Sequence, residues 1–339
     1  MRFGAPQPQP HEDEMKTHAT RDDASVHVIC PTWNGAAFIP EFLRSVQAQT
    51  FEDWVLWVRD DASSDGSAAL VRAVAESDTR VRILASNGDR LGAVGAFRWL
   101  WEQVPSTARY LMFADQDDVW LPDKLELSMN AMRDAERLAT GPVLVHTDLV
   151  VVDAMLKQVA PSFWLYARIK PETVSLPRLI VHNIVTGNTV LINRALRLRV
   201  GCIPIGAAMH DWWVACVAAA LGRIVAVSVP TVLYRQHGAN TIGARASTAG
   251  LALRAIPGEA ARAFTRTATV RADIATAARQ ARAFVQAYGG ALSASDRAFL
   301  HAYARIPEQR FLRRKLQLLR LHLHPENGLM RNVGLLLRA

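Results

Sequence analysis

The sequence has few cysteines, and none is spaced for a disulfide framework or a metal site. The three cysteines, Cys30, Cys202 and Cys216, are odd in number and lack the short Cys-x-x-Cys spacing of zinc and redox motifs. We therefore expect buried thiols in a reducing compartment, a pattern that argues against small disulfide-stapled secreted domains.

The sequence also lacks a long hydrophobic run, although 50% of its 339 residues are hydrophobic. Nowhere do about 18 apolar residues follow one another, so no transmembrane helix is predicted. Residues 1–24 are rich in Pro, Gln and charge and contain no apolar core of a signal peptide. We predict a disordered tail over residues 1–24 and a cytoplasmic protein.

Acidic residues are scarce in the last part of the chain. Residues 245–339 carry 16 Lys and Arg against 5 Asp and Glu, within a total net charge of +8. The segment 308–323 predicts an amphipathic helix with arginines beside a leucine stripe. The stripe consists of Leu312, Leu316, Leu319 and Leu323. Such a helix suits an anionic membrane surface, here the inner face of the plasma membrane, and equally suits packing on the catalytic domain. No nucleic-acid-binding motif accompanies the charge, so nucleic acid is not an expected partner.

Strand and helix patterns alternate from residue 26 onward. Short apolar runs predict strands at Val26–Cys30, Trp54–Val58, Val81–Leu84, Tyr110–Ala114, Val143–His146, Val190–Asn193 and 223–229. Helical patterns lie between them, and residues flanking Val150–Val152 suggest an edge hairpin. This order predicts an α/β fold, a mostly parallel sheet flanked by helices, in a catalytic domain over residues 25–244. Residues 245–339 form a predicted basic helical extension.

Polar clusters follow three of the predicted strands. They are Thr32–Asn34, Asp60–Asp61 and Asp115–Asp118. Ligands of such sheets bind beyond the carboxyl ends of the strands, so we expect the clusters to share one edge. Carboxylates crowded at a strand end repel one another and need a positive partner. An Asp-x-Asp turn, Asp115 and Asp117, fits Mg²⁺ or Mn²⁺ completed by substrate phosphates, although alone it is equally a solvated acidic turn.

The three clusters together resemble the motifs of the family 2 glycosyltransferases, and within them the bacterial rhamnosyltransferase-like members. The resemblance covers about residues 26–242 and implies a GT-A fold and inverting transfer from a nucleotide-diphosphate sugar. It further implies a saccharide or lipid-linked acceptor in cell-surface polysaccharide synthesis. Trp33 stands where a Tyr is common in the family.

The resemblance also implies roles for individual residues. The donor nucleotide would contact Pro31, Thr32, Trp33, Asn34, Asp61 and Gln116, with Asp61 accepting the ring N–H of the base. Arg235 and His237 would neutralise the leaving diphosphate, and His237 is an alternative metal ligand. Gly187 and Asn188 would lie beside the donor sugar and the acceptor.

The segment Met209–Trp213 opens a predicted apolar helix and contains the expected catalytic base. An inverting transfer requires a base opposite the leaving group, and the motif resembles the family element that supplies it. We assign this role to Asp211, with helix capping as its structural alternative and His210 as the weaker candidate base. Trp212 or Trp213 is expected to stack on the acceptor while the other packs inward.

Two other functions fit parts of the sequence. The run Asp115–Val119 matches the nucleophile signature of haloacid-dehalogenase-like phosphatases, but in that class it normally closes the first strand. A catalytically silent membrane-associated assembly protein would keep the fold, yet would be expected to lose a metal or base carboxylate. The donor sugar is not determined, and dTDP-rhamnose is a guess from the resemblance alone.

Overall fold

The computed structural model describes residues 25–85, 88–237 and 259–322. Its strands are β1 Val26–Thr32, β2 Trp54–Asp60, β3 Val81–Leu84, β4 Tyr110–Phe113, β5 Val119–Trp120, β6 Val143–Asp153, β7 Gln158–Ala160, β8 Leu191–Asn193 and β9 Arg223–Gln236. The predicted tail at residues 1–24 lies outside the described residues.

Helices separate most of these strands and follow the last one. They are α1 Ile39–Gln47, α2 Ser67–Ser77, α3 Gly92–Gln103, α4 Lys124–Leu138, α5 Phe163–Ala167, α6 Leu176–Val181, α7 Arg194–Val200, α8 His210–Leu221, α9 Glu259–Tyr288, α10 Ala294–Ala304 and α11 Phe311–His322. A short 3₁₀ turn, Gly187–Thr189, leads into β8.

In the described residues the strands form one sheet in the order β3-β2-β1-β4-β8-β6-β9-β5, with β7 on β6. The first four neighbours are parallel, because each strand is followed by a crossover helix. Antiparallel pairing enters where β8 lies between β4 and β6, while β9 runs parallel to β6. The predicted α/β class with a helix-flanked sheet is confirmed.

The central strands are buried on both faces, as their continuous apolar runs require. Every residue of β4 is buried, and successive residues of β1 point into different cores. Ile29 joins the core beneath α3 and α8, whereas Val28 and Cys30 join the core beneath α1 and α4. The sheet is therefore a fixed platform whose strand ends carry the site.

One local prediction is confirmed and two are wrong. The expected hairpin at Val150–Val152 is present, because β6 continues to Asp153 and turns back into the antiparallel strand β7, with a register shift against β9 at Asp148. The chain also continues through Pro230 in β9, where the same register shift accommodates a residue without an N–H. Cys202 is exposed, whereas Cys30 and Cys216 are buried as expected.

The described C-terminal helices pack against α8. Trp213 meets Phe284 and Tyr288, with ring centroids 5.3 and 6.0 Å away, and the Gln280 side chain accepts a hydrogen bond from the backbone N–H of Ala208 at 3.0 Å. Within the described residues, no helix combines the length and apolar character needed to span a bilayer.

Candidate active site

The loops after β1 and β4 are joined by Gln116. Its side-chain oxygen accepts hydrogen bonds from the Thr32 hydroxyl and from the backbone N–H of Trp33 at 2.9 Å, and its amide nitrogen donates to the Trp33 carbonyl at 2.9 Å. The same oxygen would lie 2.2 Å from a Cβ at position 35, so this approach requires Gly35. Gln116, oriented by Thr32, thus holds the Trp33 backbone in place, and the nucleotide contacts of Thr32 and Gln116 stay predictions.

Asn34 also connects two loops through hydrogen bonds. Its side-chain oxygen accepts a hydrogen bond from the Ser64 N–H at 2.9 Å, and its own N–H donates to the Ser63 hydroxyl at 2.9 Å. Its left-handed backbone, with φ of 45°, is a conformation that Asn tolerates well. Asn34 therefore links the loops after β1 and β2, while the nucleotide contact of its exposed side chain stays a prediction.

Asp61 anchors the beginning of α3. Its Oδ1 accepts hydrogen bonds from the Arg59 guanidinium and from the Leu91 N–H at 2.8 Å, while Oδ2 accepts from the Gly92 N–H at 2.8 Å. A carboxylate at this position stabilises the helix, because the N-terminal end of the helix dipole is positive. Because each oxygen accepts about two hydrogen bonds, Oδ2 retains one acceptor position. The base contact expected of Asp61 stays a prediction.

Trp33 is the most open side chain of this group, with 41% of its surface exposed. The Arg90 guanidinium lies over the indole, its central carbon 3.6 Å from the ring centroid. Arg59 donates to the Asp89 carbonyl at 2.9 Å, so the backbone is fastened on both sides of Arg90. Pro31, which precedes this loop in β1, is half-buried and pairs with Arg59 of β2.

The acidic turn after β4 concentrates negative charge. Partial burial together with the charges of Asp117 and Asp211 raises the pKa of Asp115 to about 8. Full burial beside Asp117 and Asp115 raises the pKa of Asp118 well above its ordinary range. The beginning of α8 is connected to this turn by residues 187–188, because Gly187 lies against Asp211 and Asn188 donates to Asp118. The turn therefore favours a positive partner when its carboxylates are ionised.

His237 and Arg235 approach the turn in different ways. The His237 Nε2 lies 2.8 Å from the Asp117 Oδ2, and its ring stacks on Phe38. Arg235 is 3% exposed, and its guanidinium donates to the carbonyls of Asp117 and Ala154 and to the Glu41 carboxylate. The Arg235 charge is therefore engaged inside the fold, and its contact with the diphosphate stays a prediction.

Asn188 and Asp118 form a buried link behind the turn. The Asn188 amide donates to the Asp118 carboxylate, whose other oxygen accepts from the Arg235 N–H at 3.0 Å. Asn188 is fully buried, and the position of its loop beside the donor sugar and the acceptor stays a prediction. Lys124, not singled out from the sequence, is also fully buried and donates from Nζ to the Asn188 carbonyl at 2.9 Å.

Asp211 lies in the first turn of α8, within reach of the 3₁₀ turn. Oδ1 accepts from the Trp212 N–H at 2.7 Å, and Oδ2 accepts from the Asn183 amide at 3.1 Å. A Cβ on Gly187 would lie 3.2 Å from Oδ2, so Gly187 permits a close approach between the turn and Asp211. Burial raises the pKa of Asp211 to about 6, a value suited to a base near neutral pH.

Of the residues next to Asp211 on α8, His210 and Trp213 face the protein interior and Trp212 lies nearer the surface. Trp213 is 1% exposed and packs on α9, so it does not stack on an acceptor. Trp212 is half-buried and donates its indole N–H to the Leu179 carbonyl, which leaves it as the one of the pair near the surface. His210 stacks on Phe97, with centroids 3.6 Å apart, and burial lowers its pKa to about 3. His210 is therefore unsuited to be the base.

The acidic turn fits an open site for a divalent cation. Among the described residues, no group of three or more His, Cys, Asp or Glu side chains is arranged to hold a metal ion. Asp115 and Asp117, with His237 beside the latter, supply fewer ligands than a closed cage. Mg²⁺ and Mn²⁺ commonly bind one or two carboxylates and complete their shell with phosphates and water.

Comparison with known families gives this geometry its context. The family model described as glycosyl transferase family 2 matches residues 27–198, half of the chain. The chain belongs to glycosyl transferase family 2. This family assignment agrees with the strand-end motifs and decides against the phosphatase alternative, whose nucleophile would close the first strand.

Several curated glycosyltransferases are similar to this family 2 chain. The UDP-Glc:alpha-D-GlcNAc-diphosphoundecaprenol beta-1,3-glucosyltransferase WfgD of Escherichia coli is 34% identical over 111 residues, 33% of this chain and 42% of that protein. The putative teichuronic acid biosynthesis glycosyltransferase TuaG of Bacillus subtilis is 26% identical, over 50% of this chain and 62% of that protein. The dTDP-rhamnosyl transferase RfbG of Shigella flexneri is 22% identical, over 64% and 74%.

The fold is shared with a solved glycosyltransferase. S. aureus TarS 1–349, in complex with UDP-GlcNAc, superposes with a TM-score of 0.54 at 14% identity, covering 92% of this chain and 89% of that one. This likeness confirms the GT-A fold.

Proposed function

We propose that this family 2 glycosyltransferase moves a sugar, with inversion, from a nucleotide-diphosphate donor to a saccharide or lipid-linked acceptor. The observation that carries the proposal is that one short turn contacts both groups: Gly187 lies against the Asp211 carboxylate, and the next residue, Asn188, donates to Asp118 of the acidic turn. An inverting displacement needs a base across the anomeric carbon from the leaving diphosphate. A carboxylate facing an acidic diphosphate site supplies that arrangement.

The reaction is a single displacement. Asp211, with a pKa of about 6, is largely ionised at neutral pH and takes the proton of the acceptor hydroxyl. The acceptor oxygen bonds to the anomeric carbon as the bond to the diphosphate breaks. Trp33 offers an exposed ring for the base of the donor, and Asp115 and Asp117 would hold Mg²⁺ or Mn²⁺. The bound cation would stabilise charge on the leaving diphosphate.

The biological setting we propose is bacterial cell-surface polysaccharide synthesis. It is supported by three similar proteins: WfgD is a glucosyltransferase acting on a lipid-diphosphate sugar, TuaG is a putative teichuronic acid biosynthesis glycosyltransferase, and RfbG is a dTDP-rhamnosyl transferase. Rhamnose remains one donor among several to test, since RfbG is only 22% identical. Gly187 and Trp212 lie directly beside Asp211, so an acceptor hydroxyl approaching this carboxylate would pass near them.

The proposal includes contact with an anionic membrane through α11 on the cytoplasmic side. Leu318 is buried, whereas Leu312 and Leu316 are 73% and 56% exposed and Arg313 and Arg320 are exposed beside them. The helix thus packs through one face and presents part of the leucine stripe on another. Leu319 has no described side chain, and Leu323 lies outside the described residues.

Vesicle sedimentation tests this contact. The double variant Leu312→Ser/Leu316→Ser should lose binding to phosphatidylglycerol vesicles, while Leu138→Ser, at an 82% exposed leucine on α4, should not. Equal binding of both variants would contradict the contact through α11.

A donor screen tests the transfer itself. UDP-glucose, UDP-N-acetylglucosamine, dTDP-rhamnose and GDP-mannose are offered with Mn²⁺ and a synthetic N-acetylglucosamine-diphosphate lipid, and product is identified by mass spectrometry and by the anomeric configuration of the new bond. An inverted product that depends on Asp211 supports the proposal. A retained configuration contradicts the single displacement. Donor binding without any transfer would favour the silent assembly protein.

A further inference from the structure

Lys124 is a cation in an unusual place. It is the first residue of α4 and is fully buried, although the positive end of the helix macrodipole disfavours a cation there. Burial of an ammonium group costs several kcal/mol unless charge and hydrogen bonds compensate it. The buried Lys124 side chain therefore needs hydrogen bonds or negative charges nearby that offset the loss of hydration.

The hydrogen-bond partner of Lys124 is a backbone carbonyl. Nζ donates to the Asn188 oxygen at 2.9 Å and lies 4.8 Å from the ring centroid of Trp120. Burial lowers the pKa of Lys124 to about 7, and the charges of Asp118 and Asp115 offset part of this loss of the ammonium form. No ion pair of Lys124 within 4.0 Å is found among the described residues. Its direct contact thus fixes the Gly187–Thr189 turn.

This turn joins the two halves of the candidate site. On one side, Asn188 receives the Lys124 hydrogen bond and donates to Asp118, next to the acidic pair. On the other side, the Gly187 backbone packs against the Asp211 carboxylate, so that a Cβ on Gly187 would stand 3.2 Å from Oδ2. A Cβ on Gly187 would stand 3.1 Å from the Asp211 Cβ, so a small movement of the turn moves the base or breaks this contact.

We infer that Lys124 is a positioning residue for sugar transfer: through the Asn188 carbonyl it sets the Gly187–Thr189 turn and thereby the placement of Asp211 opposite the Asp115–Asp117 turn. This inference rests on the proposed function, because it assigns Asp211 as the base. A positioning error of about 1 Å lowers a rate by on the order of 100-fold, so the turn has leverage over the reaction.

Three variants separate positioning from simple charge balance. Lys124→Met removes the donor and the charge, Lys124→Gln removes the charge but keeps an N–H donor, and Lys157→Met changes an exposed lysine as a control. Binding of UDP, dTDP and GDP with Mn²⁺ is measured for each protein. The kcat and KM are measured with whichever of UDP-glucose, UDP-N-acetylglucosamine, dTDP-rhamnose and GDP-mannose the wild type uses.

We expect Lys124→Met to bind the nucleoside diphosphate within about 3-fold of wild type and to lose about 100-fold in kcat. Lys124→Gln should recover part of that kcat, and Lys157→Met should match wild type. Equal kcat losses in the Met and Gln variants, or a loss of nucleotide affinity equal to the loss of kcat, would assign a counter-charge role and overturn the inference.

A second variant covers the case in which Lys124→Met does not fold. Gly187→Ala introduces a methyl group against Asp211 at a position without left-handed backbone, and it should lower kcat with nucleotide affinity retained. Wild-type kcat in Gly187→Ala would overturn the inference. If wild type itself transfers no sugar, the proposed function fails and takes the inference with it, whereas normal wild-type transfer with an unaffected Lys124→Met refutes the inference alone.

Discussion

The two sides of the candidate site solve different physical problems. On the side of β1 and β2, polar side chains satisfy one another: Gln116 holds Trp33, and Asn34 holds the loop after β2. On the side of β4 and α8, several carboxylates are withdrawn from water, and burial raises the pKa values of Asp115 and Asp211 to about 8 and about 6. The first side is rigid before any ligand arrives, whereas the second carries charge that a ligand or ion must balance.

Removal of the base should give the largest effect and should separate the two sides, because it lowers kcat without weakening nucleotide binding. Asp211→Asn keeps the shape of the side chain but cannot accept the proton, so kcat should fall about 10³-fold. Nucleoside diphosphate binding with Mn²⁺, measured by calorimetry, should stay near wild type because the other side is unchanged. Transfer at the wild-type rate would remove Asp211 from the mechanism.

Arg235 tests whether its charge serves the fold. Arg235→Met leaves the Glu41 carboxylate and the Asp117 carbonyl without their donor, so the free energy of unfolding should drop by about 3 kcal/mol. Urea unfolding monitors the change, with Arg137→Met on the solvent-exposed surface of α4 as the control. A stable variant with weakened nucleotide binding would instead support the predicted contact of Arg235 with the diphosphate.

Asp117→Ala should weaken cation-dependent binding. We expect the affinity for the nucleoside diphosphate in Mn²⁺ to fall about 10- to 100-fold, with little change in EDTA, because a ligand of the cation is lost. The matched control is Asp123→Ala, an exposed aspartate just before α4. Similar losses in both variants would show a general effect of negative charge instead of a metal site.

The pH profile should report Asp211. Its pKa is raised by burial to about 6, so the ionised, proton-accepting form prevails above that pH and is lost below it. The kcat should therefore fall about tenfold for each pH unit below about 6. Profiles at two saturating Mn²⁺ concentrations should coincide. A midpoint that moves with Mn²⁺ would assign the titration to the acidic turn.

The smallest effect is expected on the rigid side. Trp33→Ala should weaken nucleotide binding about fivefold, because an exposed stacking surface is lost, and Trp33→Phe should retain most of the affinity. Binding of UDP, dTDP and GDP by calorimetry measures both variants. An unchanged affinity in Trp33→Ala would place the base elsewhere.

The convergence of the strand ends could be predicted from sequence, but the direction of individual side chains could not. Parallel strands bring their carboxyl ends to one edge, so the meeting of the loops of Thr32, Asp61 and Asp115 followed from the alternating pattern. Whether a polar side chain faces a ligand or another loop depends on packing between distant segments. That is why Asn188 and Arg235 were expected at the ligand but are buried in the fold.

Lys124 shows a signal that sequence reasoning passed over. A lysine is usually a surface residue, and its burial cannot be read from composition. Its position was informative nonetheless, because a cation at a helix start directly after an acidic run opposes the dipole and is near several carboxylates. A residue whose charge is unfavourable at its place in a predicted helix is therefore worth singling out, because contacts elsewhere in the folded protein must offset that unfavourable charge.

The short segment between β4 and β5 has a further consequence. It leaves the middle of the sheet and ends in β5, which pairs with β9 at Val119↔Leu233 and Trp120↔Val232. Because side chains alternate along a strand, one inserted residue here would turn Trp120 away from its buried place beside Phe42. Natural length variation should therefore avoid this crossing and accumulate instead in surface connections such as the one between α2 and β3.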